Sequence, residues 1–488
     1  MNRPIRTLSV FCLLLFVALL LNITYVQFIK ADDYNANAAN RRVLEESFSR
    51  ERGAILAGRQ TIAKSVRSDD QYEWQRTYPK PLMYAPVTGY LSFQYGQAGI
   101  EKSQNAVLSG DDERLFTNRL VDLVTDTDPQ GGNVEVTIDP AVQEAAYDGL
   151  TALGPDVEAA AVAVEPSTGR ILAMASTPSY DPNQLADHDI GATEDVWTRL
   201  NDEDASPHQP MLNRSIQTTL PPGSTFKLVT AAAAMEYLDL EPDSRVTGTA
   251  ALDVPETDRD IHNESGGTCG GQQITFERAL EVSCNTAFAS IGIDLSDEQL
   301  RTQAEKFGFG QSYLDDLSPL AVSRMPENLS VAYRALSAIG QYEVAATPLQ
   351  MAMVAGGIAN DGVVMKPYLV DRVTSSSLDV VDQGEPQELS RAMSADNADA
   401  LTDMMVSVVD QGTGTNARIS GVDVAGKTGT AQSDPDRPPY AWFTSFAPAE
   451  DPKIAVAVMV QKSGTARSEI AGGQLCAPIA RAMMEAAL

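Results

Sequence analysis

The sequence predicts an α/β fold built around one five-stranded sheet, and three observations carry that reading. Two apolar strands, AAAVAVE (159–165) and ILAMAST (171–177), are joined by the turn Pro166-Ser167-Thr168-Gly169. This is a hairpin signal, so the sheet is at least partly antiparallel. A helical stretch follows over about 224–360, and three more strands (422–432, 440–448, 453–461) then lead into a terminal helix over about 471–487. Strands interrupted by a helical insertion and closed by a helix fit one sheet layered with helices. At 488 residues the chain exceeds one ordinary core; about 150 residues per domain gives about three segments.

The elements follow in chain order. Leu8 to Phe28 is 21 residues without a charge, long enough to cross about 30 Å of hydrocarbon as a helix. Arg3 and Arg6 precede it, and Lys30, Asp32 and Asp33 follow. The basic flank places the N-terminus in the cytoplasm and the remainder outside. A cleaved signal peptide is the rival reading, but the apolar run is long for one and no small-x-small site follows it cleanly. Residues 31–150 are polar, with short candidate strands and turns such as Val87-Thr88-Gly89-Tyr90-Leu91. NVEVTID (133–139) alternates as a strand, and DPAVQEAAYDGLTAL starts a helix with Asp139 as N-cap and Pro140 at its first position. In the middle, 226–238, 274–282, 297–308 and 347–360 carry apolar residues at helical spacing. Two acidic stretches, 187–205 and 253–260, read as solvated loops.

Composition narrows the function. With 36 basic against 66 acidic residues the net charge is −30, which repels nucleic-acid phosphates. No CxxC pair is present, and His188, His208 and His262 are the only histidines, so neither a metal nor a cofactor is implied. Cys269 and Cys284 lie on the exported side, where disulfides persist. A bridge over this 15-residue spacing would contribute about 3 kcal/mol; two free thiols are the alternative.

With histidine scarce, a serine nucleophile needs another base. Pro221, Pro222 and Gly223 break the chain just before Ser224-Thr225-Phe226-Lys227, and an apolar helix begins at once. Ser224 then sits at a helix N-terminus with Lys227 on the same face. A buried lysine loses its proton readily, because desolvation disfavours the ammonium, and a neutral amine beside a hydroxyl is a general base. Ser283-Cys284-Asn285 follows the helix at 274–282 and supplies a second hydroxyl and an amide; Ser103-Gln104-Asn105 matches the same pattern but lies upstream of Ser224. Lys427-Thr428-Gly429-Thr430 falls within a strand. Lys427 offers a charge, and Gly429 leaves room for a substrate against the strand. Lys462-Ser463-Gly464-Thr465 is a decoy. Two strands follow Lys427, so its strand can be an inner one, whereas only a loop and a helix follow Lys462.

These three motifs, in this order and spacing, resemble the penicillin-binding proteins and serine β-lactamases. RGAI (52–55), PSTGRILAMASTPSYDPN (166–183), NRSIQTTLPPGSTFK, TPLQMA and the apolar N-terminal run are similar to class B penicillin-binding proteins, and the short N-terminal module is similar to that of actinobacterial members. The resemblance implies a five-stranded antiparallel sheet flanked by helices plus an all-helical subdomain. It implies three parts: a cytoplasmic tip and anchor (1–30), a non-catalytic pedestal or interaction module (31–150) and a transpeptidase domain (151–488). No glycosyltransferase module is expected, since too few residues precede 150. The implied activity is D-Ala–D-Ala transpeptidation of peptidoglycan stem peptides, with β-lactams as inhibitors and cell-wall or division proteins as partners. Ser224 would be the nucleophile, Lys227 its base, and Ser283 and Lys427 the proton relay. Asn285, Thr428, Gly429 and Thr430 would bind substrate, and the backbone N–H groups of Ser224 and Thr430 would form the oxyanion hole. A carboxypeptidase would use the same residues with water as acceptor; a non-catalytic division scaffold would need none of them.

Overall fold

The computed structural model describes residues 3–30, 34, 48–70, 72–115, 130–432, 438–465 and 470–488. Asp32 and Asp33, part of the expected membrane flank, lie outside them. In chain order, the strands of the two large sheets are β1 (Ile55–Ala57), β2 (Gln60–Arg67), β3 (Trp74–Thr77), β4 (Asn133–Val136), β5 (Glu158–Val164), β6 (Ile171–Thr177), β7 (Val370–Thr374), β8 (Val380–Gln383), β9 (Ala425–Ala431), β10 (Tyr440–Ala447) and β11 (Ile454–Lys462). The helices that matter here are α1 (Arg3–Thr24), α2 (Pro140–Thr151), α3 (Lys227–Leu238), α4 (Phe276–Glu281), α5 (Asn285–Asp294), α6 (Pro348–Ala359), α7 (Ala395–Asp410) and α8 (Ala477–Ala487).

The C-terminal sheet runs β9-β10-β11-β5-β6, and every neighbouring pair is antiparallel. Side chains alternate across a strand, and β11 shows what that does here. Val456, Val458 and Val460 enter a core with Val142, Ala146 and Leu150 of α2 and Met483 and Met484 of α8. Ala455, Ala457 and Met459 enter the other core, with Leu228 and Ala232 of α3 and Leu349 and Val354 of α6. Both faces are covered, which is why these strands read as near-continuous apolar runs. Asp139 caps α2 as expected, its carboxylate accepting from the N–H groups of Ala141 and Val142.

The helix at 140–151, next to the expected boundary at 150, packs in the core of the C-terminal sheet. Several expectations need correction. The N-terminal sheet runs β8-β7-β4-β1-β2-β3; β7 and β8, at one edge, come from residues 370–383, far along the chain, with β7 antiparallel to β4. The helical middle is not all-helical. It carries two small antiparallel ribbons, Arg245–Thr247 with Gln273–Thr275 and Ala251–Leu252 with Ile261–His262. Val87 and Thr88 end a helix, Pro81–Thr88, rather than forming a strand with Leu91. The acidic stretch at 187–205 holds a helix, Ile190–Asn201, capped by Asp189. The terminal helix is two pieces, Gly472–Leu475 and α8, divided at Cys476.

The N-terminal sheet is fastened by a buried charge cluster. Glu101 accepts from Arg52 Nε at 2.7 Å and Arg76 Nε at 2.6 Å, and Tyr78 donates to the same carboxylate. Burial pushes the Glu101 carboxyl up, but the two guanidiniums outweigh it and hold it below its ordinary value. Removing one partner of such a cluster strands a buried charge, at a cost of about 3–5 kcal/mol. At the N-terminus, α1 and a π-helical turn, Tyr25–Ile29, make one continuous span over Arg3–Ile29, whose most apolar 18-residue stretch has a mean hydropathy of 2.4, long and apolar enough to cross a membrane.

Candidate active site

The chain enters the site through Pro221 and Pro222. Gly223 takes φ +54°, its N–H donates to Gly340 O at 3.0 Å, and a Cβ there would meet Thr430 O at 2.7 Å. Only glycine fits this left-handed, crowded position. A 3₁₀ turn, Gly223–Phe226, then runs directly into α3. Residues i and i+3 eclipse one another in a 3₁₀ turn, so Ser224 and Lys227 share a face. Ser224 is 6% exposed. It lines a cleft of about 670 Å³ with Glu264, Ser283, Thr428, Thr430 and Gly473.

The two lysines meet at Ser283. Lys227 Nζ donates to Ser283 O at 2.8 Å, Ser283 Oγ at 3.2 Å and Asn285 Oδ1 at 2.7 Å. Lys427 Nζ lies 2.9 Å from Ser283 Oγ and 3.0 Å from Thr428 O. Ser283 holds φ +58°, a conformation a non-glycine residue adopts at a cost and one that concentrates at functional sites. Its strained turn sits between α4 and α5. Both lysine side chains are fully buried. Burial, then repulsion from Lys427, holds the Lys227 amine well below its ordinary range, and Glu264 offsets a part of this. Burial lowers Lys427 to about 7, again against a pull from Glu264. Two amines on one hydroxyl with lowered proton affinity allow one to be neutral and accept a proton while the other stays charged.

This coupling has a measurable consequence. An acylation that uses neutral Lys227 as its base should slow as pH drops and the amine takes up a proton. Lys427→Gln removes a positive neighbour, so Lys227 binds its proton more tightly and the acid limb moves to higher pH. A pH profile of the second-order acylation rate for both proteins checks this; an unmoved limb would show that the two amines do not communicate.

The other sequence-derived residues fall as follows. Asn285 opens α5, and its Nδ2 donates to His262 O at 3.1 Å, leaving one amide N–H for another acceptor. Thr428 Oγ1 lies 2.6 Å from Thr413 Oγ1. A Cβ on Gly429 would meet Pro222 O at 2.8 Å and Thr225 Cγ2 at 2.9 Å. The missing side chain therefore makes room for the nucleophile's own turn, not for substrate as expected. The strand of Lys427, β9, is the edge strand of its sheet, not an inner one. Its unpaired backbone edge can take up an extended peptide as an added strand. The decoy Lys462 ends β11 with its side chain 53% exposed. Asn105 of the upstream decoy accepts from Arg52 instead. Cys269 and Cys284 form a disulfide, which ties the loop after residue 262 to the segment between Ser283 and Asn285. Sequence reasoning missed Thr413, Glu264 and the Ala471–Gln474 stretch along the cleft. None carries a periodicity or a spacing signal; only its position in the fold marks it.

A nucleophile candidate at a helix head, a relay hydroxyl between two buried amines and an open strand edge, on a helix-flanked antiparallel sheet, define a serine acyl-transferring enzyme. The chain belongs to the penicillin-binding protein transpeptidase family: the model of the penicillin-binding protein transpeptidase domain matches residues 159–485. That of the penicillin-binding protein A dimerisation domain matches residues 52–134. The chain is 44% identical over 499 residues to the peptidoglycan D,D-transpeptidase PbpA of Mycolicibacterium smegmatis, covering 100% of this chain and 99% of the relative. It is 41% identical to the Mycobacterium tuberculosis protein of the same name, over 100% of this chain and 99% of that one. Among solved structures, the ceftriaxone acyl-enzyme complex of M. tuberculosis penicillin-binding protein A matches with a TM-score of 0.86 at 40% identity, covering 91% of this chain and 100% of that one. The penicillin G acyl-enzyme complex gives 0.84 at 40% identity over 90% and 99%.

Proposed function

We propose that this chain is a peptidoglycan D,D-transpeptidase that works through an acyl-enzyme on Ser224 and is acylated there by β-lactams. The observation that carries the residue assignment is the pair of buried lysines converging on Ser283 Oγ beside the turn that bears Ser224. Ser224 Oγ attacks the carbonyl carbon of the penultimate D-alanine and gives its proton to neutral Lys227. Ser283 passes a proton from the lysine pair to the leaving amine; the C–N bond breaks and D-alanine departs. The amine of a second stem peptide then attacks the ester, its N–C bond forming as the C–Oγ bond breaks and one amine proton returns to Ser224. The backbone N–H groups of Ser224 and Thr430 stabilise the oxyanion. Lys427, Thr428 and Thr430 hold the terminal carboxylate, with Thr413 fixing the hydroxyl of Thr428. The free N–H of Asn285 takes the acyl-side carbonyl.

The apolar helix anchors the chain in the cell membrane as a single span, with the catalytic part outside the cytoplasm. The module around residues 52–134 serves as an interaction surface for cell-wall synthesis or division proteins, a reading supported by its match to a dimerisation domain. Incubating the full chain in detergent with a synthetic stem-peptide donor and an amine-bearing stem-peptide acceptor tests the activity. Mass spectrometry should find the cross-linked peptide; hydrolysed donor alone would make the protein a carboxypeptidase.

A further inference from the structure

Among the described residues, the cleft in front of the two buried lysines is lined by one carboxylate, that of Glu264, together with Ser224, Ser283 and Thr428. Glu264 is exposed to the cleft's solvent and makes no ion pair among the described residues. The guanidinium on the same wall, Arg278, is already committed to Glu281. The segment carrying Glu264 is held firmly. Neighbouring Asn263 donates to Thr249 O and Gly267 O, both at 2.9 Å, and accepts from the N–H of Thr286 at 3.1 Å. Cys269, five residues on, is bridged to Cys284. A carboxylate without an ion-pair partner among the described residues thus stands on a tethered segment of the cleft wall, and its charge reaches both lysines.

The second half of the proposed reaction supplies a reason for it. By microscopic reversibility, the incoming amine enters along the line by which the leaving amine departs, past Ser283 and Thr428. An aliphatic amine arrives at neutral pH as an ammonium and would meet a cleft whose nearest charges are lysines. A carboxylate at the mouth reverses that repulsion for a cation and does nothing for water, the competing acceptor.

We propose that Glu264 is the acceptor-recognition residue: its carboxylate captures the ammonium of an aliphatic primary amine at the mouth of the cleft and biases the acyl-enzyme toward transfer rather than hydrolysis. The captured ammonium releases one proton to solvent before it attacks as the neutral amine. This assignment rests on the transpeptidase reading above.

The test partitions one acyl-enzyme between acceptors, using the full chain with a stem-peptide donor. One acceptor is a stem peptide with a free aliphatic amine; the other is methoxyamine, which is uncharged at neutral pH. Glu264→Gln should lower transfer to the cationic amine about fivefold relative to hydrolysis, seen as a raised KM for the acceptor. At a pH above the acid limb of both proteins, where the lost pull on the lysines no longer changes the share of neutral Lys227, transfer to methoxyamine and penicillin acylation should stay within about twofold, and Glu264→Asp should recover part of the loss. An equal fall for both acceptors, or a matching fall in penicillin acylation, would assign Glu264 to the lysines and overturn the proposal, as would unchanged partitioning. A wild-type enzyme that only hydrolyses its donor would instead overturn the transpeptidase reading, and this one with it.

Discussion

Replacing Ser224 by alanine should abolish covalent labelling by a fluorescent penicillin, and replacing Lys227 by methionine should slow labelling by about 10²–10⁴-fold. The first effect is complete because the substitution removes the hydroxyl on which the proposed ester forms. The second reflects the loss of the base candidate that shares a face with the nucleophile: among the described residues the cleft lining includes no histidine, and Lys427 lies on a different element, bonded to Ser283 and Thr428. Methionine keeps the length of the side chain and fills the same buried volume, but it leaves Asn285 Oδ1 and Ser283 O without their donor. A melting curve beside each labelling time course therefore separates lost chemistry from lost folding. Label retained on the Ser224→Ala protein would remove Ser224 from the mechanism; label formed at the wild-type rate by Lys227→Met would remove Lys227.

Loss of the Cys269–Cys284 bridge is the second large effect. The bridge closes 15 residues, a loop whose cross-link is worth about 3 kcal/mol, so Cys269→Ser should lower the melting temperature by about 6 °C. The effect on chemistry follows from position. Cys284 stands between Ser283, the relay hydroxyl, and Asn285, which holds Lys227. Once the tether is gone, the strained turn at Ser283 is free to relax and acylation should slow. Melting curves and penicillin acylation rates, with and without a reductant for the wild type and for Cys269→Ser, measure both. Identical melting of the bridged and unbridged forms would dismiss the tether as a stabilising element.

The sheet was legible because its strands are unusual. Residues 159–164 and 454–460 are apolar at nearly every position, and only a doubly covered sheet buries both faces of such runs. The motif residues were legible because each sits at a break in the pattern: a proline-glycine turn before Ser224, a helix end before Ser283, a lysine within an apolar strand at 427. Strands β7 and β8 were not. VDRVT and VVDQ are short, and largely exposed or half-buried, so their pairing depends on a partner more than two hundred residues upstream. The helix α7 carries an apolar stripe at Leu401, Met404, Met405 and Val408, yet it is absent from the expected elements although its periodicity is readable. The edge position of β9 and the packing role of Gly429 were beyond reach, since strand order within a sheet follows from tertiary contacts. Glu264 and Thr413 are common residues in loops, and only the folded chain brings them to the cleft.

The return of residues 370–383 to the N-terminal sheet makes the two halves a laced structure rather than two beads on a string. The polypeptide crosses from one half to the other between β4 and α2, comes back at β7 and leaves again after β8. A load on either half is then shared among several spans instead of being concentrated on one connector, so the two halves should resist separation.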